Sequence, residues 1–229
     1  MDQLKSYWNR FGWIVSVMVI TIGLPGCGVL ENQRANSLFT ENDAIGSLPA
    51  DWEVAETNGT GTPAVWEIIP DKTAADGQKA LAITRTQNAG RTFNMLVHRD
   101  ISVGDVLFIV KVKAVSGKED QGGGPVWRYQ DNNNYYIARW NPLENNFRLY
   151  VVKDGKRKQL GSVDVQADSA TWHTIRIDHS RDLIRATFDR DHLIEIRDDT
   201  LSAAGRIGLW TKADAATAFD SLQIFYPIK

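Results

Sequence analysis

Short segments with a two-residue periodicity follow one another along most of this chain, and this pattern limits the fold more than any other feature. Apolar, β-branched and aromatic residues alternate with polar ones from Val65 to Tyr226. Turn residues such as Asp76-Gly77 separate these segments. No stretch of helical length carries an apolar stripe. Because many short strands must each bury one face, the pattern predicts an all-β fold, an antiparallel two-sheet jelly-roll sandwich.

The predicted strands fall into a central group and a flanking group. The central group lies within Gly122 to Gly161 and consists of Val126 to Gln130, Tyr135 to Trp140, and Phe147 to Lys153. The flanking strands are Val65 to Ile69, Ala80 to Thr84, Thr92 to Val97, Val106 to Val115, Thr174 to Asp178, Leu183 to Phe188, Leu193 to Ile196, Ile207 to Thr211, and Ser221 to Tyr226.

The alternation in the central strands assigns their side chains to two faces. With Asp131 to Asn134 as a four-residue turn, Arg128 faces Ile137 on the neighbouring strand. One face then carries the candidate binding residues Arg128, Gln130, Tyr135, Arg139, Arg148 and Tyr150, and the other carries Trp127, Tyr129, Tyr136, Ala138 and Trp140. Aromatic rings stack on the C–H faces of sugars, and Arg or Gln side chains hydrogen-bond to sugar hydroxyls. The first face therefore predicts a carbohydrate-binding surface, with a ligand-free face covered by arginine stems as the alternative.

The N-terminal segment predicts export and membrane attachment. Lys5 and Arg10 precede an apolar run that ends at Leu24-Pro25-Gly26-Cys27, a tetrapeptide that resembles a bacterial lipobox. We therefore expect residues 1–27 to be a lipoprotein signal peptide with lipidation at Cys27, residues 28–50 to be a tether, and residues 51–229 to be the jelly-roll domain. An uncleaved N-terminal membrane anchor is the alternative. Either segment would place the domain in the bacterial cell envelope, facing the periplasm or the exterior.

Several kinds of chemistry find no support in the sequence. Cys27 is the only cysteine, so a catalytic cysteine, a cysteine-based zinc site and an internal disulfide are excluded from the domain. The four histidines lack metal-ligand spacing, and neither a G-x-S-x-G turn nor a catalytic carboxylate pair is present. The net charge of −2, with no extended basic run, excludes nucleic acid as the expected partner. Binding of a divalent cation such as Ca²⁺ as a cofactor is left open by the sequence. Asp220 could be a metal ligand, but capping of backbone N–H groups is the favoured interpretation of this residue.

Four segments carry a resemblance to a known family: GGPVWRYQDNNNYYIARWNPLENNFRLYVVKDGKRKQL, WHTIRI, GRIGLWTKAD and FDSLQI. They resemble the concanavalin A-like (LamG-type) jelly roll of the bacterial 3-keto-disaccharide hydrolase family, which is also described as family 16 glycoside hydrolase-like. The resemblance places Arg128, Asn134, Tyr135 and Arg139 on one family motif, and Phe219-Asp220 on its C-terminal Phe-Asp. It implies a carbohydrate-facing domain, either a lectin-like binder or a hydrolase of oxidised sugars.

The residues and the resemblance together predict a lipid-anchored carbohydrate-binding domain with a sugar as its ligand. Two alternatives remain open at this point. One is a hydrolase of glycosides or 3-keto-disaccharides, with or without a metal. The other is a non-catalytic module that binds another protein.

Overall fold

The computed structural model describes residues 33–38, 41–86, 88 and 90–227. These residues form strands and connecting turns, and none of them forms a helix. Among them, accordingly, no helix has the length and hydropathy needed to cross a bilayer. The strands are β1 (Gln33–Ser37), β2 (Trp52–Thr57), β3 (Val65–Pro70), β4 (Lys79–Arg85), β5 (Phe93–Val103), β6 (Val106–Ser116), β7 (Gly124–Asp131), β8 (Asn134–Asn141), β9 (Asn146–Lys153), β10 (Lys156–Asp164), β11 (His173–Ser180), β12 (Leu183–Phe188), β13 (His192–Arg197), β14 (Gly205–Lys212) and β15 (Ala216–Pro227).

The strands form two antiparallel sheets. Sheet A has the order β13-β12-β11-β6-β15-β4-β3, and β1 also pairs with β15. Sheet B has the order β10-β9-β8-β7-β14-β5-β2. Strands that are distant in sequence lie side by side, as in a sandwich with long connections between sheets. The predicted all-β, two-sheet jelly-roll sandwich is confirmed.

The main hydrophobic core lies between the two sheets. Sheet A contributes residues such as Phe108 and Ile175, and sheet B contributes Trp127, Trp140 and Phe147. These side chains are almost fully buried, since each strand turns alternate residues towards the opposite sheet. The core therefore fixes which residues of sheet B point the other way, onto its outer face.

Three strands were not predicted, and one of them falls in the predicted tether. β1, β2 and β10 are short or rich in charged residues, so their alternation is weak in the sequence. β1 lies within residues 28–50 and pairs with the C-terminal strand β15. A stretch in the first half of that segment thus contributes a strand to the folded domain. Cys27 and the signal segment lie outside the described residues.

A bulge in β7 changes the predicted faces of the central strands. Arg128 has a φ of 46°, and the register between β7 and β8 shifts between Trp127 and Asp131. Val126, and not Arg128, therefore pairs with Ile137, and Asp131 pairs with Asn134 across a two-residue turn. The prediction of a four-residue turn with Arg128 opposite Ile137 was wrong, because the bulge interrupts the alternation that it assumed.

Candidate functional site

A second buried cluster covers the outer face of sheet B, away from the inter-sheet core. Its apolar part combines aromatic and aliphatic side chains from five strands: Phe93, Met95, Val97, Val126, Tyr129, Tyr135, Ile137, Val152 and Trp210. A sheet face that only met solvent would carry mostly polar residues. This face is instead lined by aromatic rings, and polar groups that are also buried lie at its β8–β9 end.

Arg139 and Arg148 share one carboxylate at this end. The two residues are cross-strand neighbours on β8 and β9. Glu144, in the turn between these strands, places Oε2 3.0 Å from Arg139 Nη2 and 2.8 Å from Arg148 Nη1. Burial alone would raise the pKa of Glu144, but Arg139, Asn146 and Arg148 hold it below its ordinary value. Glu144 is therefore ionised at neutral pH and bridges two cations.

Arg157 on β10 lies over the aromatic part of the cluster. Its guanidinium carbon is 4.3 Å from the centre of the Tyr150 ring, 5.2 Å from that of Phe93 and 5.7 Å from that of Trp210. Burial lowers the pKa of this guanidinium, and the nearby charge of Arg139 lowers it further. Arg157 is thus a cation held against aromatic rings and next to a second cation.

A buried acidic residue adjoins the same face. Asp120 accepts hydrogen bonds from Asn141 Nδ2 and Lys212 Nζ, both at 3.0 Å. Its side chain is 1% exposed, so the ion pair with Lys212 is largely shielded from water. Asp120, Asn141 and Lys212 therefore form a fixed polar border beside Arg139 and Arg157.

Buried arginine donors in this region have no hydrogen-bond partner among the residues that the structure describes. They are Arg139 Nε and Arg157 Nη1, and the Asn146 Oδ1 acceptor is also without one. Buried polar atoms are nearly always paired, because an unpaired one costs about 1–3 kcal/mol. Their presence at one place makes this end of the face the candidate site. We call Arg139, Glu144, Arg148, Tyr150 and Arg157 the outer-face cluster.

Three of the six sequence-predicted binding residues meet in the outer-face cluster. These are Arg139, Arg148 and Tyr150, from β8 and β9. Tyr135 lies on the same face but is fully buried, and its hydroxyl is 2.5 Å from Thr57 Oγ1. Burial raises the pKa of Tyr135 well above its usual range, so the hydroxyl stays protonated. Tyr135 therefore belongs to the packed part of the face.

The structure separates Arg128 and Gln130 from that cluster. Arg128 donates to the carbonyl oxygens of Gly104, Leu201 and Arg181, at 2.8–3.0 Å. Gln130 Nε2 donates to the Ala204 carbonyl at 2.9 Å. The placement of Arg128 with Arg139 on one binding face was thus wrong, because the bulge directs its guanidinium towards three connecting loops.

Sequence reasoning missed the contribution of Arg157. The sequence places it in a basic hairpin tip with Lys153, Lys156 and Lys158, where charged side chains are usually solvated. In the structure only the three lysines are exposed, and Arg157 pairs with Val152 on the outer face. The weak alternation of β10 gave no signal for this placement. Asp120 and Lys212 meet only through the pairing of distant strands, which no local pattern reveals.

A shallow groove occupies the opposite end of the same face. Its volume is about 730 Å³, and it is lined by residues of β2, the β7–β8 turn and β14, among them Glu53, Tyr129, Asn133 and Arg206. Arg206 lies 4.9 Å above the Tyr129 ring and forms an ion pair with Glu53. Arg206 and Glu53 are thus paired with one another.

The described residues contain no group of three or more histidine, cysteine or acidic side chains arranged to hold a metal ion. Asp220 accepts hydrogen bonds from the backbone N–H groups of Asp76 and Ser221, at 2.8 and 2.6 Å. Capping of backbone donors, which was the favoured interpretation of this residue, is confirmed. His173 is bound to Asp189, and His179 is bound to Trp127 and Arg181, so both rings already have structural partners.

Comparisons with known proteins identify the fold. No protein-family model matches the sequence, and no curated protein matches it. Among solved structures, the carbohydrate-binding module CBM66 from Bacillus subtilis is 16% identical, with a TM-score of 0.58, covering 76% of this chain and 94% of that one. A structure described as a native glycosidic hydrolase is 14% identical, with a TM-score of 0.56, covering 89% and 99%. A prokaryotic β-1,3-1,4-glucanase (lichenase) derived from a mouse hindgut metagenome is 13% identical, with a TM-score of 0.53, covering 86% and 100%. These likenesses, together with the two antiparallel sheets, confirm the predicted concanavalin A-like jelly-roll fold.

Proposed function

We propose that this protein is a carbohydrate-binding jelly-roll domain whose ligand occupies the outer face of sheet B at the outer-face cluster. The observation that carries this proposal is that two buried arginine donors, Arg139 Nε and Arg157 Nη1, have no hydrogen-bond partner among the described residues. A sugar presents hydroxyl oxygens that accept such hydrogen bonds. Support also comes from the shared fold with a carbohydrate-binding module and with glycoside hydrolases.

The outer-face cluster is a better candidate for the ligand site than the groove at the opposite end of the face. In the groove at the other end, Arg206 is already bound to Glu53 and stacked on Tyr129. In the outer-face cluster, Arg139 Nε and Arg157 Nη1 have no hydrogen-bond partner among the described residues. A ligand gains most where it satisfies polar groups that the protein leaves unsatisfied.

A glycan array with the full chain tests this proposal. The protein would be purified in a detergent without a sugar headgroup, and we expect binding to at least one glycan class. Arg157→Met should weaken that binding about tenfold or more, because it removes a charged donor worth about 1.5–3 kcal/mol. Arg185→Gln, on strand β12 of the other sheet, is the matched control and should bind normally.

Each other outcome has a distinct meaning. A folded protein that binds no glycan would contradict the proposal and favour the protein-interaction alternative. Normal binding by folded Arg157→Met would contradict the placement of the site. Mass spectrometry of the same glycans and of 3-keto-glycosides, with and without a chelator, would reveal new products if the domain is a hydrolase.

We further propose that Cys27 carries a lipid that holds the domain at the cell envelope. This part rests on the sequence alone, namely the apolar run and the lipobox-like tetrapeptide that ends at Cys27. Labelling of bacteria with a palmitate analogue should mark the protein, and Cys27→Ser should abolish the label. A labelled Cys27→Ser protein, or an unlabelled natural one, would contradict lipidation at this residue.

A further inference from the structure

The polar groups around the outer-face cluster carry a surplus of positive charge. Arg139, Arg148, Arg157 and Lys212 supply four cations, and Glu144 and Asp120 supply two carboxylates. Asp164 is an exposed residue that lies opposite Asn146 in the β9–β10 pairing. If its carboxylate is also counted, the cations still outnumber the carboxylates. The chain as a whole has a formal net charge of −2. The surplus is therefore a local property of this site.

Glu144 shows that a carboxylate fits between the two guanidinium groups. Its Oε2 atom contacts both Arg139 and Arg148 at 3.0 Å or less. Its side chain is 41% exposed, whereas that of Arg139 is 1% exposed, so Glu144 lies on the solvent side of Arg139. Among the residues that the structure describes, Arg139 Nε has no hydrogen-bond partner even with Glu144 in place. The site thus holds one carboxylate and has unused donor capacity beside it.

We propose that the carbohydrate ligand is acidic, and that its carboxylate binds Arg139 and Arg148 in place of the Glu144 side chain. This inference rests on the proposed function and names the ligand class, a uronic acid oligosaccharide. Arginine forks match carboxylates in geometry, and hydrogen bonds between charged partners are about twice as strong as neutral ones. The hydroxyls of the same sugar would then lie beside Tyr150 and Arg157, which supply further hydrogen-bonding groups.

Matched pairs of ligands test the inference. Isothermal titration calorimetry would compare a panel of uronate oligosaccharides with the same compounds after their carboxyl groups are reduced to alcohols. At least one uronate should bind the full chain tenfold or more tightly than its reduced counterpart. Equal binding of the reduced compounds would overturn the acidic ligand and leave the proposed function standing. Binding of no sugar in this panel or in the glycan array would overturn both.

Two substitutions with opposite expected effects test the competition with Glu144. Glu144→Gln keeps the shape of the side chain but removes its charge, so uronate binding should become several-fold tighter. Arg148→Gln should weaken it tenfold or more, and Arg185→Gln should leave it unchanged. If Glu144→Gln instead weakens binding as Arg148→Gln does, then Glu144 is a ligand contact and the competition is overturned. Circular dichroism and thermal unfolding would verify that each variant is folded.

Discussion

His179 illustrates how a single buried side chain links the stability of this fold to pH. Its Nδ1 atom accepts a hydrogen bond from Trp127 Nε1 at 2.9 Å, and Nε2 donates to the Arg181 carbonyl at 3.0 Å. Burial lowers the pKa of His179 to about 4, and the nearby charge of Arg128 acts in the same direction. The ring is therefore neutral in the folded protein, where a proton on Nδ1 would break the bond to Trp127.

We predict that acidification destabilises the protein through His179. The unfolded chain takes up a proton near pH 6.5, whereas the folded one does so only near pH 4, so stability falls as the pH drops between these values. From pH 7 to pH 4.5, the free energy of unfolding of the natural protein should fall by ~2–3 kcal/mol more than that of the His179→Gln variant. The glutamine amide of this variant retains a donor and an acceptor. Urea unfolding of both proteins across this range measures the difference, and parallel curves would contradict the prediction.

At the scale of the strands, β7 depends on close backbone packing at its first residue. A side chain at Gly124 would place its Cβ atom 2.0 Å from the Ala138 carbonyl oxygen and 3.0 Å from Ile175 Cδ1. A backbone carbonyl within a sheet cannot move aside without breaking the β7–β8 pairing. Glycine at this position thus allows β7 to lie against both β8 and the inter-sheet core.

Gly124→Ala should destabilise the protein by about 2–4 kcal/mol, because the added methyl group forces β7 away from β8. Gly104→Ala is the matched control, since its Cβ atom would meet nothing closer than the Ala204 Cβ atom at 4.0 Å. Gly104→Ala should change the free energy of unfolding by no more than about 0.5 kcal/mol. Urea unfolding measures both, and equal stability of the two variants would contradict the tight packing at β7.

The sequence predicts most strands because apolar alternation is a direct consequence of the sandwich. It predicts β12 without error and the flanking strands to within a few residues, apart from longer β5 and β15. The β7 bulge escapes this reasoning because Arg128 adopts a positive φ without being a glycine or asparagine. The bulge also exchanges the faces of Arg128 and Tyr129. Arg128, which was predicted to bind the ligand, therefore donates hydrogen bonds to the carbonyl oxygens of connecting loops instead.

The candidate site could be predicted only where neighbouring strands build it. Arg139, Arg148 and Tyr150 come from one hairpin, so alternation places them together. Trp210 and Lys212 come from β14, which reaches this face through the pairing of β14 with β7. Such pairing depends on the topology of the whole sheet. The number of possible strand orders is too large for a local pattern to choose among them.

At the scale of the whole molecule, the small negative net charge and the local positive site predict a particular effect of salt. Raising NaCl from about 10 mM to 1 M should weaken uronate binding, because ions screen exposed parts of the site. The change should lie mainly in the dissociation rate, since a molecule of charge −2 provides no long-range attraction for an anion. Biolayer interferometry separates the two rates. A dominant change in the association rate would contradict this prediction.

The pairing of β1 with β15 determines where other molecules can be attached without covering the outer face of sheet B. Gln33 lies opposite Pro227 in this pairing, so both ends of the described chain leave from neighbouring points of sheet A. The outer-face cluster belongs to the other sheet. A fluorescent protein or a surface tether joined at either end would thus start from the same side of the domain. Immobilisation through these ends is accordingly a suitable geometry for displaying the domain to polymers in solution.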